Sequence, residues 1–112
     1  MKKTDASKDP ERNVWLQLGV PDAEAHFLKA ELVLRLDKTI HALGLTQQAA
    51  ARRIGATQPE LSKILRGKFS EVSLERLMRF LAALGHNIEI KIGDGVGKTG
   101  DIIVSDARKR AA

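Results

Sequence analysis

Gln58, Ser62, Lys63 and Arg66 follow one another at steps of four, one and three residues, a spacing that puts all four on one broad face of a helix begun by Thr57. The side chains on that face are an amide, a hydroxyl and two cations, and Thr57 adds a second hydroxyl at its start. A glutamine amide pairs with adenine, a lysine or arginine with guanine, and a hydroxyl reaches a base or a phosphate. Thr57, Gln58, Ser62, Lys63 and Arg66 are therefore the candidate base-contacting residues of a helix that enters the major groove of duplex DNA.

Such a face needs a scaffold, and the stretch Thr46 to Gly67, TQQAAARRIGATQPELSKILRG, has the form of a helix-turn-helix. Thr46 is placed to cap an alanine-rich helix, Gln47 to Ile54. Gly55 supplies backbone freedom for a tight turn. Thr57 starts the next helix, with Glu60 three residues on at capping-box spacing. Pro59 falls in the first turn, where its missing N–H breaks no helical bond. The second helix runs through Leu65, and Gly67 is placed to end it. Small Ala51 and Gly55 would let the two helices cross closely, with Ala50, Ile54, Leu61 and Ile64 filling the wedge between them. The bland alternative is a helical hairpin with a solvated polar face.

Charge placement favours the first reading. The chain carries a formal net charge of +5. Residues 46–69 hold Arg52, Arg53, Lys63, Arg66 and Lys68 against Glu60 alone, while acidic and basic residues balance over residues 1–45 and again over 70–92. Nearly all of the excess thus lies in and just after the motif, as phosphate binding requires. Gln47, Gln48, Arg52, Arg53 and Lys68 are the candidate phosphate contacts.

The skeleton Gln47, Ala51, Gly55, Leu61 and Ile64 resembles that of the lambda-repressor/Cro-like, or Xre-type, helix-turn-helix proteins. The resemblance extends over about Asn13 to Ile92: NVWLQLGVPDAE, LRGKFSEVSLERLMRFLAALG and HNIEIKI look like a subfamily of small Xre-type proteins. Many of these are antitoxins of type II toxin–antitoxin pairs, of the host-inhibition-of-growth kind, and related stand-alone or prophage repressors share the domain. The resemblance implies an all-α, compact lambda-repressor-like domain of about four to five helices with a C-terminal β-strand used for dimerisation. It also implies a homodimer on a palindromic double-stranded operator and, for an antitoxin, autorepression and a cognate toxin as partner. Trp15 is read first as a packing anchor of its segment against the helical core, and that segment is also the candidate toxin contact. A different class of function, a protein-interaction adaptor that keeps the fold without binding DNA, would show no salt-dependent DNA affinity.

The rest of the chain must carry this domain. A length of 112 residues suits one domain with tails, and four aromatic residues (Trp15, Phe27, Phe69, Phe80) imply an aliphatic core. Residues 1–12 are polar and expected to be disordered, and residues 13–85 form the domain. Asn13 to Leu18 offers a short amphipathic turn, broken by Gly19 and Pro21. Asp22 is placed to cap a helix reaching about Leu43, with Leu28, Leu32, Leu36, Ile40 and Leu43 as its stripe and Lys29, Glu31, Arg35 and Lys38 on the wet side. After the motif, Phe69 and Val72 should tuck inward, and Ser73 should cap a helix to Leu84. The period then changes to two. His86, Ile88, Ile90 and Ile92 alternate with Asn87, Glu89 and Lys91, which predicts a strand. Residues 86–105 are read as that strand, or as a hairpin with Asp101 to Ser105, with Ile88, Ile90 and Ile92 at the dimer interface and residues 106–112 as a loose tail.

Other chemistry finds little support. GDGVGKT, Gly93 to Thr99, looks like a phosphate-binding loop, but the pattern demands glycine where Ile92 stands, and a β-like run follows instead of a helix. His26, His41 and His86 lack ligand spacing, and no cysteine supports them. His26 and His41 each follow an aspartate by four residues, a helix-surface pairing. Ser62 beside Lys63 is no dyad, because adjacent helix residues point apart. No catalytic residue, metal site or cofactor is expected. The absence of cysteine suits a reducing cytoplasm. The first residues lack the apolar run of a signal peptide, and no segment approaches the roughly 20 apolar residues of a membrane span.

Overall fold

The computed structural model describes residues 23–95 and 97–107. They contain four helices: α1 (Ala23–Ala42), α2 (Gln47–Ile54), α3 (Gln58–Leu65) and α4 (Leu74–Ala83). The expected tail over residues 1–12, the turn containing Trp15 and the Asp22 cap lie outside the described residues.

Leu28, Leu32, Leu36 and Ile40 recur every four residues on α1 and are buried, with Val33 beside them. Leu43, expected to extend the stripe, is 46% exposed. The helix ends at Ala42, and Gly44 turns the chain at a φ of +67°. That turn lets the Leu45 N–H reach back to the Ile40 carbonyl at 3.1 Å, and Leu45 then packs on the core. Among the wet-side residues Lys38 is exposed, whereas Lys29, Glu31 and Arg35 are half-buried.

The four largest fully buried side chains are Leu36, Leu61, Ile64 and Leu77. They come from α1, α3 and α4, so the centre of the core lies where those helices meet. Two of the four belong to α3. A helix of eight residues, about 12 Å long, is marginal in isolation, and here burial of Leu61 and Ile64 holds it. The loop after α3 is fastened to α1. Phe69 and Val72 are buried, His26 stacks on the Phe69 ring with centroids 5.2 Å apart, and Lys29 Nζ donates to the Ser70 carbonyl at 2.9 Å. Ser73 caps α4 by accepting from the Arg76 N–H at 3.1 Å.

The C-terminal segment corrects one expectation. His86 to Ile92 forms no strand, residues 101–105 make no hairpin with it, and the described residues contain no strand at all. The physical reason is that a lone strand leaves its donors and acceptors without a ladder, and one chain offers none. Instead the His86 N–H bonds the Leu81 carbonyl at 3.1 Å, and its ring Nε2 lies 2.6 Å from Thr39 Oγ1. The chain beyond then leaves the domain with Ile88, Ile90 and Ile92 exposed by 40%, 75% and 90%. It returns further on. Val104 packs against the core, and Asp106 accepts from Arg35 Nη2 at 2.9 Å. Asp106 was expected in the loose tail; residues 108–112 lie outside the described residues.

Candidate nucleic-acid interface

The motif is built by local hydrogen bonds. Thr46 Oγ1 accepts from the Ala49 N–H at 3.0 Å and caps α2. Thr57 Oγ1 accepts from the Glu60 N–H at 3.2 Å and caps α3, with Pro59 in the first turn. Between them Gly55 adopts a φ of +79° and bonds the Ala51 carbonyl. A Cβ at Gly55 would meet nothing within 4 Å. The glycine is thus needed for its left-handed backbone and not, as its spacing suggested, for close helix crossing. Ala50 and Ala51, 0% and 2% exposed, take that place. Ile54, Leu61 and Ile64 are buried in the wedge as expected.

Burying Leu61 and Ile64 fixes which face of α3 looks outward. Thr57, Gln58, Lys63 and Arg66 are exposed, and Ser62 is half-buried. Gln47 and Gln48, in the first turn of α2, are exposed beside them. Gln58 Nε2 donates to Gln47 Oε1 at 3.0 Å. That bond joins the two helices across the turn and restrains the Gln58 amide. Gln58 keeps a second N–H and its oxygen, the donor and acceptor that adenine presents a match for. The Thr57 hydroxyl retains its proton for donation after accepting from Glu60.

Arg52 and Arg53 lie in the last turn of α2, where the helix dipole favours cations. Lys68 follows α3 in the loop. All five basic side chains of residues 46–69 are exposed, and none forms an ion pair among the described residues.

The one carboxylate of the motif is neutralised from outside it. Arg76, on α4, donates through Nη1 and Nη2 to the two oxygens of Glu60, the second bond at 3.1 Å. Its guanidinium also lies 4.9 Å above the centre of the Phe80 ring. The Arg76 hydrogen bonds hold the Glu60 carboxyl below its ordinary value of 4.5, against the opposing effect of burial; the charge of Arg76 and the Thr57 N–H lower it further. The latter contact is the reciprocal half of the capping box. Hydrogen bonding to Glu60 likewise raises Arg76. Sequence spacing places Glu60 in the capping box but carries no mark of Arg76, sixteen residues away.

Of the three histidines, His41 realises the pairing its spacing suggests, with Nδ1 3.4 Å from Asp37 Oδ1. His26 stacks on Phe69, and the aspartate expected to pair with it, Asp22, lies outside the described residues. No helix among the described residues is long and apolar enough to cross a membrane.

Comparison with known proteins adds three findings. A family model described as a helix-turn-helix domain matches residues 14–93. A solved chain assigned as an XRE family transcriptional regulator is 35% identical, with a TM-score of 0.68, and the match covers 80% of this chain and 100% of that one. No curated protein matches.

Proposed function

We infer, from the premise that this chain belongs to the helix-turn-helix domain family, that it is a sequence-specific regulator of transcription that reads duplex DNA with α3 in the major groove. The observation that carries this reading is the division of α3 into two faces. Buried Leu61 and Ile64 fix its orientation, while Gln58, Lys63 and Arg66 stand exposed and Gln58 is held by Gln47. In this reading Gln58 contacts adenine, Lys63 and Arg66 contact guanine, and Thr57 and Ser62 reach bases or phosphates. Gln47, Gln48, Arg52, Arg53 and Lys68 bind the backbone.

The regulator acts as a homodimer on a palindromic operator, joined through Ile88, Ile90 and Ile92. Their exposure supports this, since free apolar side chains on a segment of β-formers favour association. The finer assignment is an autorepressing antitoxin with a cognate toxin. It rests on the resemblance of NVWLQLGVPDAE and HNIEIKI to that subfamily. A small protein encoded next to this gene that co-purifies with the chain supports it; a gene standing alone favours a repressor without a toxin.

A salt titration on two duplexes, the DNA upstream of the gene and a scrambled control, tests the main reading. Tight, palindrome-dependent binding to the first is expected. Equal, weak binding to both would reduce the motif to a basic surface and favour the adaptor.

A further inference from the structure

We propose that Ile88–Ile92 pairs with the same residues of a second copy in an antiparallel ladder centred on Ile90, with Glu89 of each copy opposite Lys91 of the other. The proposal rests on the homodimer reading above and specifies the register of that interface.

The segment is prepared for a ladder that its own chain does not provide. No backbone group from Asn87 to Ile92 makes a hydrogen bond among the described residues. Such a row of free donors and acceptors is a template for another strand. The side chains suit one, with β-branched Ile88, Ile90 and Ile92 on one face and Asn87, Glu89 and Lys91 on the other. Its root is fixed to the domain by the bonds from His86 to Leu81 and Thr39. A second copy paired here would therefore hold two domains in one defined relation.

Residues Ile88 to Ile92 identify the occupant. Directly opposed residues of an antiparallel pair share a face of the sheet. A two-fold axis must then pass through a residue and its own copy, because a one-residue slip would oppose an inward side chain to an outward one. Three centres are available near the middle of the segment. Centring on Glu89 opposes two carboxylates, and centring on Lys91 opposes two ammonium groups; both are unfavourable. Centring on Ile90 opposes Ile90 to Ile90, Ile88 to Ile92, and Glu89 to Lys91 twice over. Every pair in that register is complementary. The segment is thus self-complementary in charge and in apolar character, the property required of a surface that meets its own copy.

The test uses the full chain and three variants: Glu89→Lys, Lys91→Glu, and the double exchange. Both side chains are exposed, so the fold should persist, and circular dichroism checks this. Mass is read by light scattering across a dilution series. The wild type is expected to be a dimer. Each single variant opposes like charges at two places and should weaken the dimer by about tenfold or more. The double exchange should restore it. Mixing the two single variants should yield a heterodimer in preference to either homodimer. Wild-type dimers with single variants that dimerise equally well would overturn the register while leaving the homodimer reading intact. A monomeric wild type would overturn both and leave the isoleucine face to another occupant, either residues 102–105 of this chain or a different protein.

Discussion

Arg76 on α4 grips both carboxylate oxygens of Glu60 on α3 while resting on the ring of Phe80. The contact ties the first turn of the exposed helix to the core and removes the one negative charge of the motif from the field of its five cations. Glu60→Gln should lower unfolding free energy at neutral pH by about 0.5–1 kcal/mol, the range of partly exposed pairs. The Glu60 carboxyl titrates below its ordinary 4.5 in the fold, so the pair stabilises fully above that pH and its contribution fades as pH falls through the lower, folded value. Arg76, raised, stays charged throughout. Urea unfolding of wild type and Glu60→Gln should differ at pH 7 and converge as pH falls through the lowered, folded value of the carboxyl. A gap that does not narrow as the solution is acidified would assign the loss to something other than this charge pair.

Alanine at Gln58, Lys63 or Arg66 should cost roughly 1–3 kcal/mol on the operator and relax the preferred base at one position. Alanine at Arg52, Arg53 or Lys68 should weaken all duplexes alike and reduce the salt slope by about one. Binding measured on operator and scrambled DNA at several salt concentrations separates the two groups. Unchanged discrimination in all three of the first set would remove α3 from the groove.

Gln47→Ala has a distinct signature. It removes the proposed contact to the DNA backbone and also frees the Gln58 amide. Its effect should therefore be non-additive with Gln58→Ala, and a double-mutant cycle on operator affinity measures the coupling. Strict additivity would mean that the 3.0 Å bond does not operate in the complex.

Within the turn, Gly55→Ala should destabilise by about 1–2 kcal/mol and Gly55→Asn by less, since the cost is that of left-handed backbone and not of crowding. Leu61→Ala, which empties a fully buried site, should cost roughly 2–5 kcal/mol. Thermal unfolding of the three variants ranks them; equal losses for Ala and Asn at position 55 would contradict the backbone explanation.

Ile90→Glu should yield a folded monomer whose operator affinity falls toward that of a single half-site, because two readers about 34 Å apart would no longer be linked. Removing Asn87 to Ala112 altogether is a less clean test, since it also deletes Val104 from the core and Asp106 from Arg35. Sedimentation and operator binding of Ile90→Glu decide the matter; a variant still dimeric would move the interface elsewhere.

The motif was legible because its signals are local. Thr46, Thr57 and Ser73 each cap the helix that follows them, and Gly44 and Gly55 take the positive φ that ends a helix. The apolar stripes of α1 and α4 were legible from periodicity. What could not be read were contacts between residues distant in sequence. Arg76 with Glu60, Lys29 with Ser70, Thr39 with His86 and Arg35 with Asp106 obey no spacing rule. The strand expectation failed for a related reason. Alternation at Ile88, Ile90 and Ile92 reports what a segment could pair with, whereas a strand exists only where the pairing partner is present.

On α3, Leu61 and Ile64 face the core while Gln58 and Lys63 face solvent, as does Arg66 just past its end. Exchanges at exposed positions typically change stability by no more than about 0.5 kcal/mol. If these exposed residues read DNA as proposed, a lineage carrying this helix can rewrite its target there one residue at a time without passing through unfolded ancestors. Recoding and folding would then draw on separate letters of one short word.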